Sequence, residues 1–227
     1  IEAALAGFSR AGIETGITVN LIVDAMRNFP DSVDDARAAA RFVSAGVVGF
    51  DLAGPERGFP PEVHVESCRL AAQKGLHLTI HAGEADGLRS IAAALDVCGA
   101  ERLGHGIRVV DDIDPSTGAM GHTAIAVLDN HIPLEVCPTS NLHTLNIEPE
   151  DHPLGLLYHR GFTVTLNTDN RLMSNVTLTD EFDLAMRHQG FRRDDLMQVT
   201  LNAVDAAFAD QETKQALEKR VRAGYAS

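Results

Sequence analysis

LHLTIHAGE, residues 76–84, is an apolar run that stops abruptly at His81 and Glu84. A stretch of Leu, Ile and Thr ending in a polar, reactive group reads as a buried parallel strand that delivers the group to its C-terminal edge. Three more segments follow apolar runs in the same way: GHG at Gly104–Gly106, CPTS at Cys137–Ser140 and NTDN at Asn167–Asn170. A fifth run, VVGFD, ends at Asp51 and opens into DLAG, Asp51–Gly54. Asp51 to His81 is 30 residues, His81 to His105 is 24, His105 to Cys137 is 32 and Cys137 to Asn167 is 30. That interval holds a strand, a loop, a helix and a return, so one sheet edge is expected to receive every polar tip.

Working outward, six strands are expected: Thr18–Asp24, Val47–Asp51, Leu76–His81, Arg102–His105, Pro133–Cys137 and Phe162–Asn167. Between them lie helix-period stretches at Asp34–Ser44, Glu62–Lys74, Leu88–Cys98, His122–Asn130 and Leu154–Arg160. Asp31 or Ser32 is expected to cap the first of these, with acids in its first turn. Gly75, Gly99 and Gly161 close three of them. A helix-like segment, IEAALAGFSRAGIET, opens the chain, and helices near Leu178–Gln189, Arg193–Ala207 and Asp210–Ala223 follow the last strand. Strand–helix alternation means an α/β protein with a parallel sheet. No linker or composition shift interrupts residues 1–227, which read as one domain. An open doubly wound sheet and a (β/α)8 barrel both fit; the barrel needs eight strands, two more than are found.

The bulk properties narrow the partners. The 227 residues are 44% hydrophobic and 22% charged, with a formal net charge of −13. Such an acidic balance argues against nucleic-acid backbones or an anionic membrane as the main partner, but not against a small ligand in a pocket. No apolar run has the length of a membrane span, and no leader pattern stands at Ile1. Cys68, Cys98 and Cys137 are widely spaced and odd in number, which suits free thiols in a reducing, cytoplasmic setting.

Several residues could carry chemistry. His81 can ligate a metal, and Glu84, beyond the turn allowed by Gly83, can move protons; the bland alternative is a bonded His and a capping Glu. His105 sits between two glycines that allow close backbone approach to a ligand. Asp169 can bind a metal or a water, whereas Thr168, Asp169 and Asn170 are equally good helix caps. Gly54 offers a backbone N–H. Cys137 has no visible group to raise its thiolate fraction and reads as a small buried residue. The remaining histidines, His64 and His152 among them, read as structural or exposed.

In combination these segments resemble the adenosine deaminase family. The motifs are VVGFDLAGPE at Val47–Glu56, HLTIHAGE at His77–Glu84, RLGHGIRV at Arg102–Val109, EVCPTSN at Glu135–Asn141 and TLNTDNRL at Thr165–Leu172, and the likeness runs from about Ile17 to Ala207. All five in this order are specific. The resemblance implies a (β/α)8 barrel of the metal-dependent hydrolase type, incomplete here, with about six βα units present and the first two missing. It implies zinc-dependent hydrolytic deamination of adenosine and 2′-deoxyadenosine to the inosine nucleosides, with release of ammonia. Carried over by position, His81 and Asp169 look like zinc ligands, and Glu84 like the proton donor to purine N1. His105 looks like the group that orients the attacking hydroxide. Gly54 is similar to the backbone N–H that meets N3, and Asn170 stands where a second Asp of the animal enzymes binds N7.

One departure matters. The family opens with an HxH pair on its first strand, both histidines ligating zinc, and this sequence has none; His64-Val65-Glu66 lies within an expected helix. The chain is therefore expected to be the C-terminal portion of a longer enzyme and, alone, to bind zinc weakly or not at all. Two other readings stay open: a catalytically inactive barrel fragment or pseudoenzyme that acts by binding, and a deaminase of adenine, an N6-modified purine or a nucleotide. A nucleotide would call for a basic cluster, for which Arg57, Arg108 and Arg171 are candidates.

Overall fold

A computed structural model describes residues 1–226. Their contacts cluster into two compact units: Ile1–His81 with Ala92–Glu101, and Ala82–Ile91 with the chain from Arg102 onward.

The first unit opens with α1 (Glu2–Thr15) and then builds three strands, β1 (Leu21–Met26), β2 (Val47–Ala53) and β3 (His77–Ala82), whose last residue falls in the second unit. β1 pairs parallel to β2 with Asp24 opposite Asp51, and β2 pairs parallel to β3 with Phe50 opposite Leu78. The helices α2 (Ser32–Ala40) and α3 (Val65–Gln73) lie between the strands in sequence and bury small residues, Ala36, Ala39, Cys68 and Ala71. On β2, Phe50, Asp51 and Leu52 are all buried. A strand buried on both faces belongs to a covered parallel sheet, which explains why the run VVGFDLA shows no apolar–polar alternation. Each fully buried Phe or Leu contributes about 1.5–3 kcal/mol relative to exposure.

The second unit carries β4 (Arg102–His105), β5 (Leu134–Val136) and β6 (Val164–Leu166), again parallel between neighbours, with Leu103 opposite Leu134 and Leu134 opposite Val164. The helix α4 (Leu88–Asp96) is divided between the units. α5 (His122–Asp129), α6 (Pro138–Leu145), α7 (Leu154–His159), α8 (Arg171–Ser174), α9 (Leu178–His188), α10 (Arg193–Ala206) and α11 (Gln211–Ala226) complete the chain. The core here is Leu103, Ile107, Leu134, Val136, Val164, Leu154, Leu157 and Val199, each at most 1% exposed.

Three expectations shift. β1 is displaced from Thr18–Asp24 to Leu21–Met26, because residues 18–20 are exposed and Leu21 N–H is the first to reach across, donating to Gly46 O at 2.9 Å. The Asp34–Ser44 stretch resolves into α2 and a separate 3-10 turn at Val43–Ala45. Asp31 takes the N-cap place without a side-chain cap bond, and Asp34 and Asp35 fill the first turn. A helix after β5, α6, went unrecognised, although Pro138 at its first position and Asn146 in the left-handed region at its end are both helix-boundary signals. No helix among the described residues is long and apolar enough to cross a membrane.

Candidate active site

In the first unit the polar tips of β2 and β3 lock together. His81 Nδ1 lies 2.7 Å from Asp51 Oδ2, and the His81 backbone N–H donates to Asp51 Oδ1 at 3.1 Å. Asp51 is 4% exposed, so its carboxylate is surrounded by protein while one oxygen meets the His81 backbone and the other the His81 ring. A carboxylate this close to Nδ1 favours the tautomer that leaves the Nε2 lone pair to offer, the usual arrangement of a metal-binding histidine. Buried Arg27 ties the same two strand ends by donating to Leu52 O and His81 O. Gly54 follows with φ +91°, and a Cβ there would lie 2.7 Å from Met26 Cε, so a side chain would be strained in this backbone and crowded as well.

In the second unit three consecutive residues at the start of α6 each hold an acidic group from another element. Thr139 N–H donates to Glu181 Oε2 at 3.1 Å, and Ser140 Oγ donates to Asp169 Oδ2 at 2.7 Å. Asn141 Nδ2 lies 3.0 Å from Glu84 Oε1 and 3.0 Å from His105 Nδ1. The first turn of a helix suits this task, since its unpaired N–H groups and positive dipole end favour carboxylates. Glu84 Oε1 and His105 Nδ1 are themselves 3.7 Å apart. Asn141 Oδ1 in turn meets His152 Nε2 at 3.3 Å.

Two of these residues have unusual backbones. His105 stands at φ +65° and Asp169 at φ +53°, the left-handed region that non-glycine residues seldom occupy. Such conformations persist where the surroundings over-determine them, and they concentrate at functional sites. β4 and Gly106, itself at φ +65°, hold His105, and Gly106 N–H donates to Ala82 O at 3.1 Å.

The surrounding electrostatics discourage a cysteine nucleophile. Burial pushes the Cys137 thiol well up, and the carboxylates of Asp169, Glu135, Glu181 and Glu84 add to that. Burial also raises the buried Glu181 carboxyl, against the bond from Thr139. Asn170 caps α8, its Oδ1 accepting from Met173 N–H at 3.1 Å, so the capping role allowed by the sequence is one it fills.

A cavity of about 480 Å³ opens at the end of β6 against Asp169, Thr168 and Arg171. A larger one, about 680 Å³, is walled by Ile107, Leu145, Ile147, Leu156 and His152 but not by Glu84, His105 or Asp169. Four of its lining charges are paired with one another, Arg108 with Asp111 and His188 with Glu150.

Sequence reading named His81, Glu84, His105, Asp169, Gly54 and Asn170. It passed over Asp51, Ser140, Asn141 and His152. Asp51 was visible as a strand tip and Asn141 as the end of EVCPTSN, but their roles needed partners 30 and 57 residues away. The described residues hold no group of three or more His, Cys, Asp or Glu side chains placed to bind a metal ion.

Six parallel strands in βα succession, with His, Glu and Asp at their C-terminal ends, are the architecture of an incomplete (β/α)8 barrel, and solved enzymes share it. The structure aligns with an adenine deaminase from Arthrobacter aurescens at a TM-score of 0.87 and 25% identity, over 98% of this chain and 66% of that one. It aligns with an amidohydrolase from Burkholderia ambifaria, solved with bound Zn, at 0.86 and 26%, over 99% of this chain and 62% of that one. The family model for adenosine deaminase matches residues 1–224. Adenosine deaminase 1 of Streptomyces coelicolor is 41% identical over all of this chain and 60% of its own length. The adenosine deaminase of Mycobacterium ulcerans is 42% identical over 92% of this chain and 60% of its own. The chain belongs to the adenosine deaminase family. It spans about three fifths of the length of the curated relatives it matches.

Proposed function

We propose that the chain is the C-terminal portion of a single-domain, cytoplasmic deaminase that hydrolyses adenosine and 2′-deoxyadenosine to the inosine nucleosides and ammonia. The observation that carries this reading is the α6 turn, which sets a proton-transfer acid, Glu84, beside a histidine, His105, and holds Asp169 through the neighbouring serine. The three cysteines, buried and unbridged, suit a reducing compartment.

Zinc takes nitrogen and oxygen donors, and His81 Nε2 and the Asp169 carboxylate are of the right kind. Catalytic zinc ordinarily has three protein ligands, so these two fit the ion in chemistry and fall short in number. Further ligands would come from the part of the relatives' length that this chain does not span. Zinc held by donors of this kind would supply the Lewis acidity that makes water nucleophilic near neutral pH.

The rest falls to the chain. Glu84 gives a proton to purine N1 as the ring loses aromaticity at C6, the role of a positioned acid. His105 orients the oxygen that adds to C6. Gly54 N–H meets N3, and the Asn170 amide nitrogen, with Oδ1 spent on the helix cap, is the group to donate to N7. Arg108 is paired with Asp111 at 2.5 Å, and Arg171 Nε reaches Val176 O at 3.4 Å, which favours a nucleoside over a nucleotide.

The test joins the N-terminal part of the Streptomyces coelicolor relative ahead of Ile1 and measures ammonia release from adenosine, 2′-deoxyadenosine, adenine, N6-methyl-AMP and AMP. Turnover of the nucleosides, lost at least 10³-fold in Glu84→Gln, supports the reading. A folded, zinc-loaded chimera that turns over none of them overturns it in favour of a binding role. One that prefers adenine or a nucleotide overturns the substrate. Full activity of the 227-residue chain by itself would overturn its reading as a portion.

A further inference from the structure

The amide of Asn141 stands at the centre of a buried hydrogen-bond chain whose direction is set at one end by the backbone. Leu154 N–H donates to His152 Nδ1 at 3.1 Å. A main-chain N–H can only donate, so His152 Nδ1 is an acceptor and a neutral His152 carries its hydrogen on Nε2. Burial, with His105 alongside, pushes His152 down to about 4, so it is neutral at pH 7. Nε2–H therefore donates to Asn141 Oδ1 at 3.3 Å, which turns the amide nitrogen toward Glu84 and His105. Both amide hydrogens are then used, one on Glu84 Oε1 and one on His105 Nδ1. Flipping the amide would set donor against donor at His152 and oxygen against oxygen at Glu84. With Asn141 0% and His152 3% exposed, water does not replace the lost bonds, so the flipped amide is strongly disfavoured.

We infer that Asn141 is a positioning residue that dictates where the Glu84–His105 pair keeps its protons. His105 Nδ1 accepts from the amide, so its hydrogen sits on Nε2 and its outer edge is a donor. Glu84 Oε1 likewise accepts from the amide, so a proton held by this carboxyl sits on Oε2. The consequence for chemistry rests on the deaminase reading: His105 orients the attacking oxygen by donating a hydrogen bond from Nε2–H, and Glu84 presents its proton from one defined oxygen.

The tautomers are read without metal or substrate. In the 227-residue chain with 15N-labelled histidine, long-range proton–nitrogen correlation at pH 7 is expected to show Nε2–H for both His105 and His152. Nδ1–H at either residue overturns the inference in the native protein, whatever the fate of a variant. In Asn141→Asp, where a carboxylate replaces the donor, His105 is expected to switch to Nδ1–H; an unchanged tautomer in the folded variant overturns it as well. In the active chimera Asn141→Asp is expected to lower kcat about 10²-fold with KM changed less than threefold. Failure of the wild-type chimera to deaminate would sink the deaminase reading and leave the tautomers as measured.

Discussion

Gly83 links the end of β3 to Glu84 at φ +78°, and a Cβ there would lie 2.5 Å from Ile91 Cδ1 and 2.6 Å from Ile91 Cγ1. Ile91 is fully buried and has nowhere to retreat. Backbone strain and overpacking act together, so Gly83→Ala is expected to cost about 2–4 kcal/mol and lower Tm by several degrees in a thermal melt. A second residue-scale effect follows from His152. Its folded value of about 4 lies below its ordinary 6.5, so between those values the unfolded chain binds more protons than the folded one. The contribution is complete above pH 6.5 and is lost as pH falls towards 4, about 3 kcal/mol in all. Denaturant titrations at pH 7 and pH 4.5 should show His152→Gln losing less stability than the native chain between the two.

At the scale of elements, α9 deserves comparison with α6. Its start was legible: Thr177 and Asp180 form a reciprocal capping box, with Thr177 N–H donating to Asp180 Oδ2 at 2.8 Å and Asp180 N–H to Thr177 Oγ1 at 3.3 Å. The expected helix, Leu178–Gln189, ends within one residue of the observed Leu178–His188. This helix also delivers Glu181 to the first turn of α6. Thr177→Ala is expected to lower Tm by a few degrees, measurable by circular dichroism, while the β-strands persist. α6 was missed because CPTSNLHTL has little apolar periodicity. Its side chains are spent on Glu84, His105 and Asp169, so its hydrophobic signal is weak where its chemistry is strong. β4, by contrast, was read residue for residue: the expected Arg102–His105 is the observed strand.

For the whole molecule, the proposed reading turns on zinc. Two ligands of suitable chemistry predict weak binding by the chain alone. In the chimera, Asp51→Asn removes the carboxylate that orients His81 and is expected to weaken zinc by about 10–100-fold in a competition titration with a chromogenic chelator. An unchanged affinity would mean that the Asp51–His81 pair serves the strand ends and not a metal.

Sequence by itself determined the α/β class, the order of the six strands and the polar residues at the strand tips, because burial periodicity and turn chemistry are local. It also carried the family, through five motifs in fixed order. Only the tertiary structure decided which side chains meet: that Asp51 holds His81, that one turn of α6 gathers Glu84, His105 and Asp169, and that a backbone N–H at Leu154 orients Asn141. Those pairings join residues far apart in the chain, and a hydrogen bond depends on distance and direction in space, which no local pattern encodes.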